Sequence, residues 1–183
     1  MSASTADRGR APAQTVDQER YFPFFVSTIA NKISRGGSRI YLKLFGVGAI
    51  EWRILYVLAR SPGVTAQAVC SQIELDKAAA SRSIQVLERL GYVESAEDPR
   101  DGRKRTLFLT DAGVSLHDRI IPVAMQRQEE LLAGFSASER ELFLRLLKRM
   151  HANAVAMERN EYGAPPAAPA PAGRVLGKAL AVA

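Results

Sequence analysis

A change of hydrophobic period divides this chain. Apolar residues recur every three or four positions as far as Leu90, alternate with polar ones in the stretches 92–96 and 105–110, and return to helical spacing beyond Thr110. These periods specify amphipathic helices on both sides of a short hairpin. In the second alternating stretch Leu107 and Leu109 alternate with Thr106 and Phe108, and Asp101-Gly102 supplies the turn. The expected fold class is therefore mainly α with a small β-hairpin.

The helices before the hairpin are short and closely punctuated. A first pattern over 24–45 carries Val26, Ile29, Ile33, Ile40 and Leu44 on one stripe. Gly36 and Gly37 interrupt it, each costing about 1 kcal/mol of helix propensity, so a bend or a close helix contact is expected there. Lys32, Arg39 and Lys43, with Arg35 further round, flank the stripe on one side, and Ser27, Ser34, Ser38 and Tyr41 on the other. After Gly46-Val47-Gly48 a second helix follows with Ile50, Ile54, Leu55 and Leu58, and it stops before Ser61-Pro62-Gly63. Thr65 is a good N-cap for a third, carrying Ala68, Val69 and Ile73. Glu74-Leu75-Asp76 then turns the chain into a fourth helix, capped by Asp76 and stopped at Gly91, whose buried face is Ala80, Ile84 and Leu87. Two short helices joined by a tight turn have helix-turn-helix geometry.

The opposite face of the fourth helix points to a partner. Ala78, Ser81, Arg82, Gln85 and Arg89 lie across from the buried stripe, with Lys77 at the N-terminal end. The small side chain of Ala78 admits close backbone approach, Ser81, Arg82 and Gln85 offer hydrogen bonds to base edges or phosphates, and the helix N-terminus adds partial positive charge. An ordinary solvated face would look similar in isolation. The hairpin that follows makes the difference, because its tip gathers Arg100, Arg103, Lys104 and Arg105 where a loop projects, and such a wing suits the narrow, electronegative minor groove. The formal net charge of +6 has the sign that an anionic partner requires.

The runs Leu75-Asp76-Lys77-Ala78-Ala79-Ala80-Ser81-Arg82, Leu87-Glu88-Arg89-Leu90-Gly91-Tyr92-Val93, Asp98-Pro99-Arg100-Asp101-Gly102-Arg103 and Leu109-Thr110-Asp111-Ala112-Gly113 resemble the MarR family of bacterial regulators. The resemblance covers about 24–157. It implies a winged helix-turn-helix over about 49–110, dimerisation helices over about 20–45 and 111–160, and double-stranded DNA with a palindromic operator as the partner of a homodimer. It further implies that the fourth helix enters the major groove and that Arg103 enters the minor groove, oriented by Asp101. Ala78, Ala79 and Ala80 stand where the family usually carries bulkier residues, so its base preference does not transfer.

The C-terminal half fits dimerisation on physical grounds too. Thr110 caps a helix running to Leu131 and Leu132, expected to bend at Pro122, and Ser136 with Glu139 forms a capping box for a last helix. Leu142, Phe143, Leu146, Leu147, Met150 and Ala154 line one broad face of it, which a second subunit would cover. The ends differ in composition from this body of 17–162. Residues 1–16 are small and polar and 163–183 open on alternating proline and alanine, so both are expected to be disordered tails.

The resemblance also implies a pocket for a small aromatic effector, a carboxylate or phenol, between the dimerisation helices and the DNA-binding lobe. Ser34 and Ser38 could hydrogen-bond it, Arg39 could pair with a carboxylate, Trp52 could stack on a ring, and His117 could reach the same space. No catalytic constellation, phosphate loop or metal-ligand spacing is present, and no cofactor is expected. The one cysteine, Cys70, excludes an internal disulfide, and the absence of a signal-like or membrane-spanning apolar run makes a cytoplasmic protein the expectation. The competing reading is an architectural DNA-binding protein that answers to no effector.

Overall fold

A computed structural model of the chain describes residues 15–98, 101–160 and 163 and places a regular element wherever a hydrophobic period is sustained. In chain order these are α1 (Phe22–Phe45), α2 (Ala49–Arg60), β1 (Val64–Thr65), α3 (Ala66–Ile73), α4 (Lys77–Arg89), β2 (Val93–Asp98), β3 (Asp101–Leu109), α5 (Asp111–Leu131) and α6 (Ala137–Met157). They fall into two compact units that divide after Leu131. The expected tails lie outside the described residues, apart from 15, 16 and 163.

In the first unit α2 is the central helix, packed against α1, α3, α4, α5 and β3. Ile54, Leu55 and Leu58 from α2, Val69 from α3, Leu87 from α4 and Ile120 from α5 are almost wholly buried and meet in one core. The caps hold the short helices to this core. The Ser38 hydroxyl accepts from the Ala49 N–H at 3.1 Å, Thr65 Oγ1 from the Ala68 N–H at 3.2 Å, and the Asp76 carboxylate from the Ala78 and Ala79 N–H groups at 3.0 Å each. α1 runs unbroken through Gly36-Gly37, so the alternative of close contact is the one realised. A Cβ on the buried Gly37 would lie 3.4 Å from the Tyr41 ring and 3.7 Å from the Ala49 Cβ.

The sheet has the order β1-β3-β2, antiparallel throughout, with Val64 paired to Leu107 and Ser95 also paired to Leu107 from the other side. Two features depart from expectation. β1 is a strand of only two residues, too short to show a period. The hairpin is also longer than its alternation indicates: Asp101-Gly102 opens β3 instead of forming the turn, with Asp101 opposite Asp98. Lys104 and Arg105 consequently belong to a strand.

α5 is seated on the hairpin by Thr110, whose Oγ1 accepts from the Gly113 N–H at 3.0 Å and donates to the Gly91 carbonyl at 2.6 Å. It then runs through Pro122 to Leu131. In the second unit the expected capping box is present. The Glu139 N–H donates to the Ser136 hydroxyl and the Ser136 N–H to the Glu139 carboxylate; the Ser136 hydroxyl, donating to the same carboxylate at 2.7 Å, and then the Ser136 N–H hold the Glu139 carboxyl below its ordinary range. α6 buries no residue; Leu142, Phe143, Leu146, Leu147 and Met150 are all exposed. Among the described residues, no helix is long and apolar enough to cross a membrane.

Candidate nucleic-acid interface

α4 divides cleanly into two faces. Ala80, Ser83, Ile84 and Leu87 are buried, while Lys77, Ala78, Ser81, Arg82, Gln85 and Arg89 are exposed. The exposed set follows helical spacing and makes a narrow strip that is small at its N-terminal end and cationic along its length. Asp76 caps the helix, its carboxylate taking the Ala78 and Ala79 N–H groups, so what the strip offers an anion is its cations Lys77, Arg82 and Arg89 and not the helix N-terminus.

Each of the wing cations has a different standing. Arg100 lies outside the described residues, and Arg103 is placed by its backbone in β3, its side chain and that of Asp101 being outside them. Lys104 is exposed. Arg105 is held across the hairpin instead of projecting from its tip: its Nη2 donates to the Ser95 hydroxyl at 2.5 Å and to the Ser95 carbonyl at 3.2 Å, and its Nε to the same hydroxyl at 3.1 Å. This cross-strand brace stiffens the wing, and sequence spacing gave no sign of it.

The residues singled out for an effector only partly converge. Trp52 and His117 do meet, with ring centroids 5.4 Å apart and planes inclined by 30°, and Tyr41 and Tyr56 flank the indole at 6.2 and 6.1 Å. His117 Nδ1 lies 3.0 Å from the Asp118 carboxylate. Ser34 and Ser38 share the side of α1 that carries Tyr41, although the Ser38 hydroxyl already caps α2. Arg39 is exposed and lies about 100° around α1 from Ser38, away from the rings.

A cation that reaches the Tyr41 side of this cluster is Arg127 of α5. Its guanidinium sits 5.8 Å over the Tyr41 ring and donates to the Ile33 carbonyl at 3.2 Å. Sequence reasoning missed it, yet a signal existed, since Arg127 continues the stripe Leu116, Ile120 and Val123 at helical spacing.

A fold, a recognition-type helix and a braced wing in this order define a winged helix-turn-helix. The family model described as MarR family matches residues 45–104. A MarR/EmrR family transcriptional regulator from Acinetobacter sp. ADP1 is 30% identical, with 77% of this chain and 99% of that one covered at a TM-score of 0.72. The chain belongs to the MarR family. Its fold is likewise that of the transcriptional regulator PcaV from Streptomyces coelicolor, at 23% identity and a TM-score of 0.64 over 77% of this chain and 99% of PcaV. The transcriptional regulator HosA of Escherichia coli O111:H- is 29% identical over 100 residues, 55% of this chain and 74% of HosA. As a MarR-family protein the chain is a DNA-binding transcriptional regulator and not an enzyme.

Proposed function

We propose that this MarR-family regulator is a cytoplasmic homodimeric repressor, released from a palindromic operator by a small aromatic effector, a carboxylate or phenol. The observation that carries the DNA-reading part is the two-faced α4: a helix locked into the core through Ile84 and Leu87 presents Ser81, Arg82 and Gln85 to solvent. On this reading Lys77, Ala78, Ser81, Arg82 and Gln85 meet the major groove, and Arg100, Arg103 and Lys104 meet the minor groove or its phosphates, with Arg105 bracing the hairpin. The body of the regulator is 17–162.

Dimerisation is supported by apolar surface that one chain leaves uncovered. Phe22, Phe25, Val26, Ile29 and Ile33 are exposed along α1, and α6 exposes Leu142, Phe143, Leu146, Leu147 and Met150. Such continuous apolar faces are covered by a partner subunit in a stable protein.

The effector reading rests on the ring cluster. Trp52, His117 and Tyr41 offer aromatic faces, Ser34 and the donor proton of Ser38 offer hydrogen bonds, and Arg127, in place of Arg39, offers the cation for a carboxylate. PcaV, which shares the fold, has been crystallised with its natural ligand. A ligand acts only through its differential affinity for the DNA-competent and DNA-incompetent forms, and coupling of about 1–3 kcal/mol weakens operator binding roughly 5- to 150-fold. Titration of a labelled operator complex with a panel of aromatic carboxylates and phenols tests this. Release is expected with wild type and with Arg39→Ala, and its loss with Arg127→Gln at unchanged operator affinity. If no compound in the panel alters operator affinity, the protein is an effector-independent DNA-binding protein.

A further inference from the structure

Between α2 and α3 lies a cleft of about 430 Å³, within the range of small-molecule sites, which meets the ring cluster at Tyr56 but has neither Trp52 nor His117 in its lining. Arg53, Tyr56 and Arg60 from α2 and Gln72 from α3 line it over Val57 and the buried Ile73, and no carboxylate is among its lining residues. Positions 53, 56, 57 and 60 fall on one side of a helix, so both arginines line the same space, their backbone positions about 10 Å apart along the axis. The far one is pinned: Arg60 Nη1 donates to the Tyr56 hydroxyl at 3.1 Å and the guanidinium lies 5.8 Å over the Tyr56 ring. The near one is linked to the DNA-reading machinery, because Arg53 Nη2 donates to the carbonyl of Ile73, the last residue of α3. The next residue, Glu74, has φ 50 and begins the turn into α4.

We propose that this cleft is a second, regulatory site that takes an elongated organic dianion with an apolar middle, a dicarboxylate. One carboxylate pairs with Arg60, the apolar body lies on Val57 and Ile73 beside the Tyr56 ring, and the other carboxylate pairs with Arg53. A carboxylate competes with the Ile73 carbonyl for the Arg53 guanidinium, so occupancy loosens the end of α3 and the turn that aims α4. The dianion therefore weakens operator binding, an effect that depends on the DNA-binding role of α4 but not on the ring cluster.

The test uses the full-length protein, 1,4-benzenedicarboxylate as probe and benzoate as the singly charged control, with calorimetric titration and operator affinity as the two readouts. Saturable binding of the probe is expected, tighter than that of benzoate. It should weaken at least tenfold in Arg60→Gln and in the Arg53→Gln/Arg60→Gln pair, and remain unchanged in His117→Ala. Saturating probe should lower wild-type operator affinity by about fivefold or more. Arg60→Gln leaves the Arg53 contact in place, so its result stands even if the double variant folds poorly. Absence of saturable binding, equal affinity in wild type and Arg60→Gln, or operator affinity unmoved by saturation overturns the site. A response abolished by His117→Ala but kept by Arg60→Gln overturns it as well, and assigns the probe to the ring cluster.

Discussion

Replacing Gly113 with alanine should destabilise the winged unit more than any conservative surface change. The glycine sits where α5 leaves the sheet, and a Cβ there would lie 2.0 Å from the Tyr92 carbonyl oxygen and 3.4 Å from the Leu109 Cβ. Neither neighbour can give way cheaply. The Tyr92 carbonyl accepts from the Thr110 N–H at 3.2 Å, and the Gly113 N–H is itself committed to Thr110 Oγ1. Relief therefore requires α5 to lift from the strand end and break this junction. Overpacking against backbone costs on the order of 3 kcal/mol or more, equivalent to a fall in Tm of roughly 6–12 °C for a chain of this size. Thermal unfolding by circular dichroism checks it, with Ala112→Gly as the control. An unchanged Tm would mean that α5 does not seat on the strand as described.

The second large effect concerns Arg82. It lies near the middle of the exposed strip of α4, bracketed by Ser81 and Gln85, and its removal touches none of the buried residues Ala80, Ser83, Ile84 and Leu87. Arg82→Ala should cost about 1–3 kcal/mol in operator binding, roughly 5- to 150-fold, while melting temperature and dimer mass stay the same. Arg82→Lys separates the two ways the residue could act. Lysine restores a phosphate contact, which needs only charge, but not a bidentate contact to guanine, which needs the planar fork. Fluorescence anisotropy on one labelled operator for all three proteins gives the answer, and wild-type affinity in Arg82→Ala would take α4 out of the groove.

The parts of this architecture that depend on local chemistry were legible in the chain itself. Thr65, Asp76 and Ser136 announce their helices because a cap acts within three residues, and Ala80, Ile84 and Leu87 announce the inner face of α4 because the helical period repeats over its whole length. What escaped is contact between residues distant in sequence. β1 exists only because Val64 and Thr65 find Leu107 and Thr106 across the sheet. Arg105, opposite Glu97 in the register, reaches diagonally across the hairpin to Ser95, ten positions back, and Arg53 finds a carbonyl twenty positions on. Arg127 is the clearest case: Arg39 had the better local setting, beside Ser38 and on the flank that carries Lys32 and Lys43, but the packing of α5 on α1 puts a different arginine over Tyr41. Flank chemistry on a single helix says which sides differ. It does not say what arrives from the next helix.

In the proposed complex two copies of α4, related by a twofold axis, read a palindrome. DNA fragments retained by the purified full-length protein, sequenced and then footprinted with hydroxyl radicals, test it most directly. The expected result is an imperfect palindrome whose half-sites are centred about 10 bp apart, or a whole number of turns apart, with protection symmetric about the dyad. Enrichment of a single asymmetric half-site, or retention of DNA with no shared sequence at all, would contradict it.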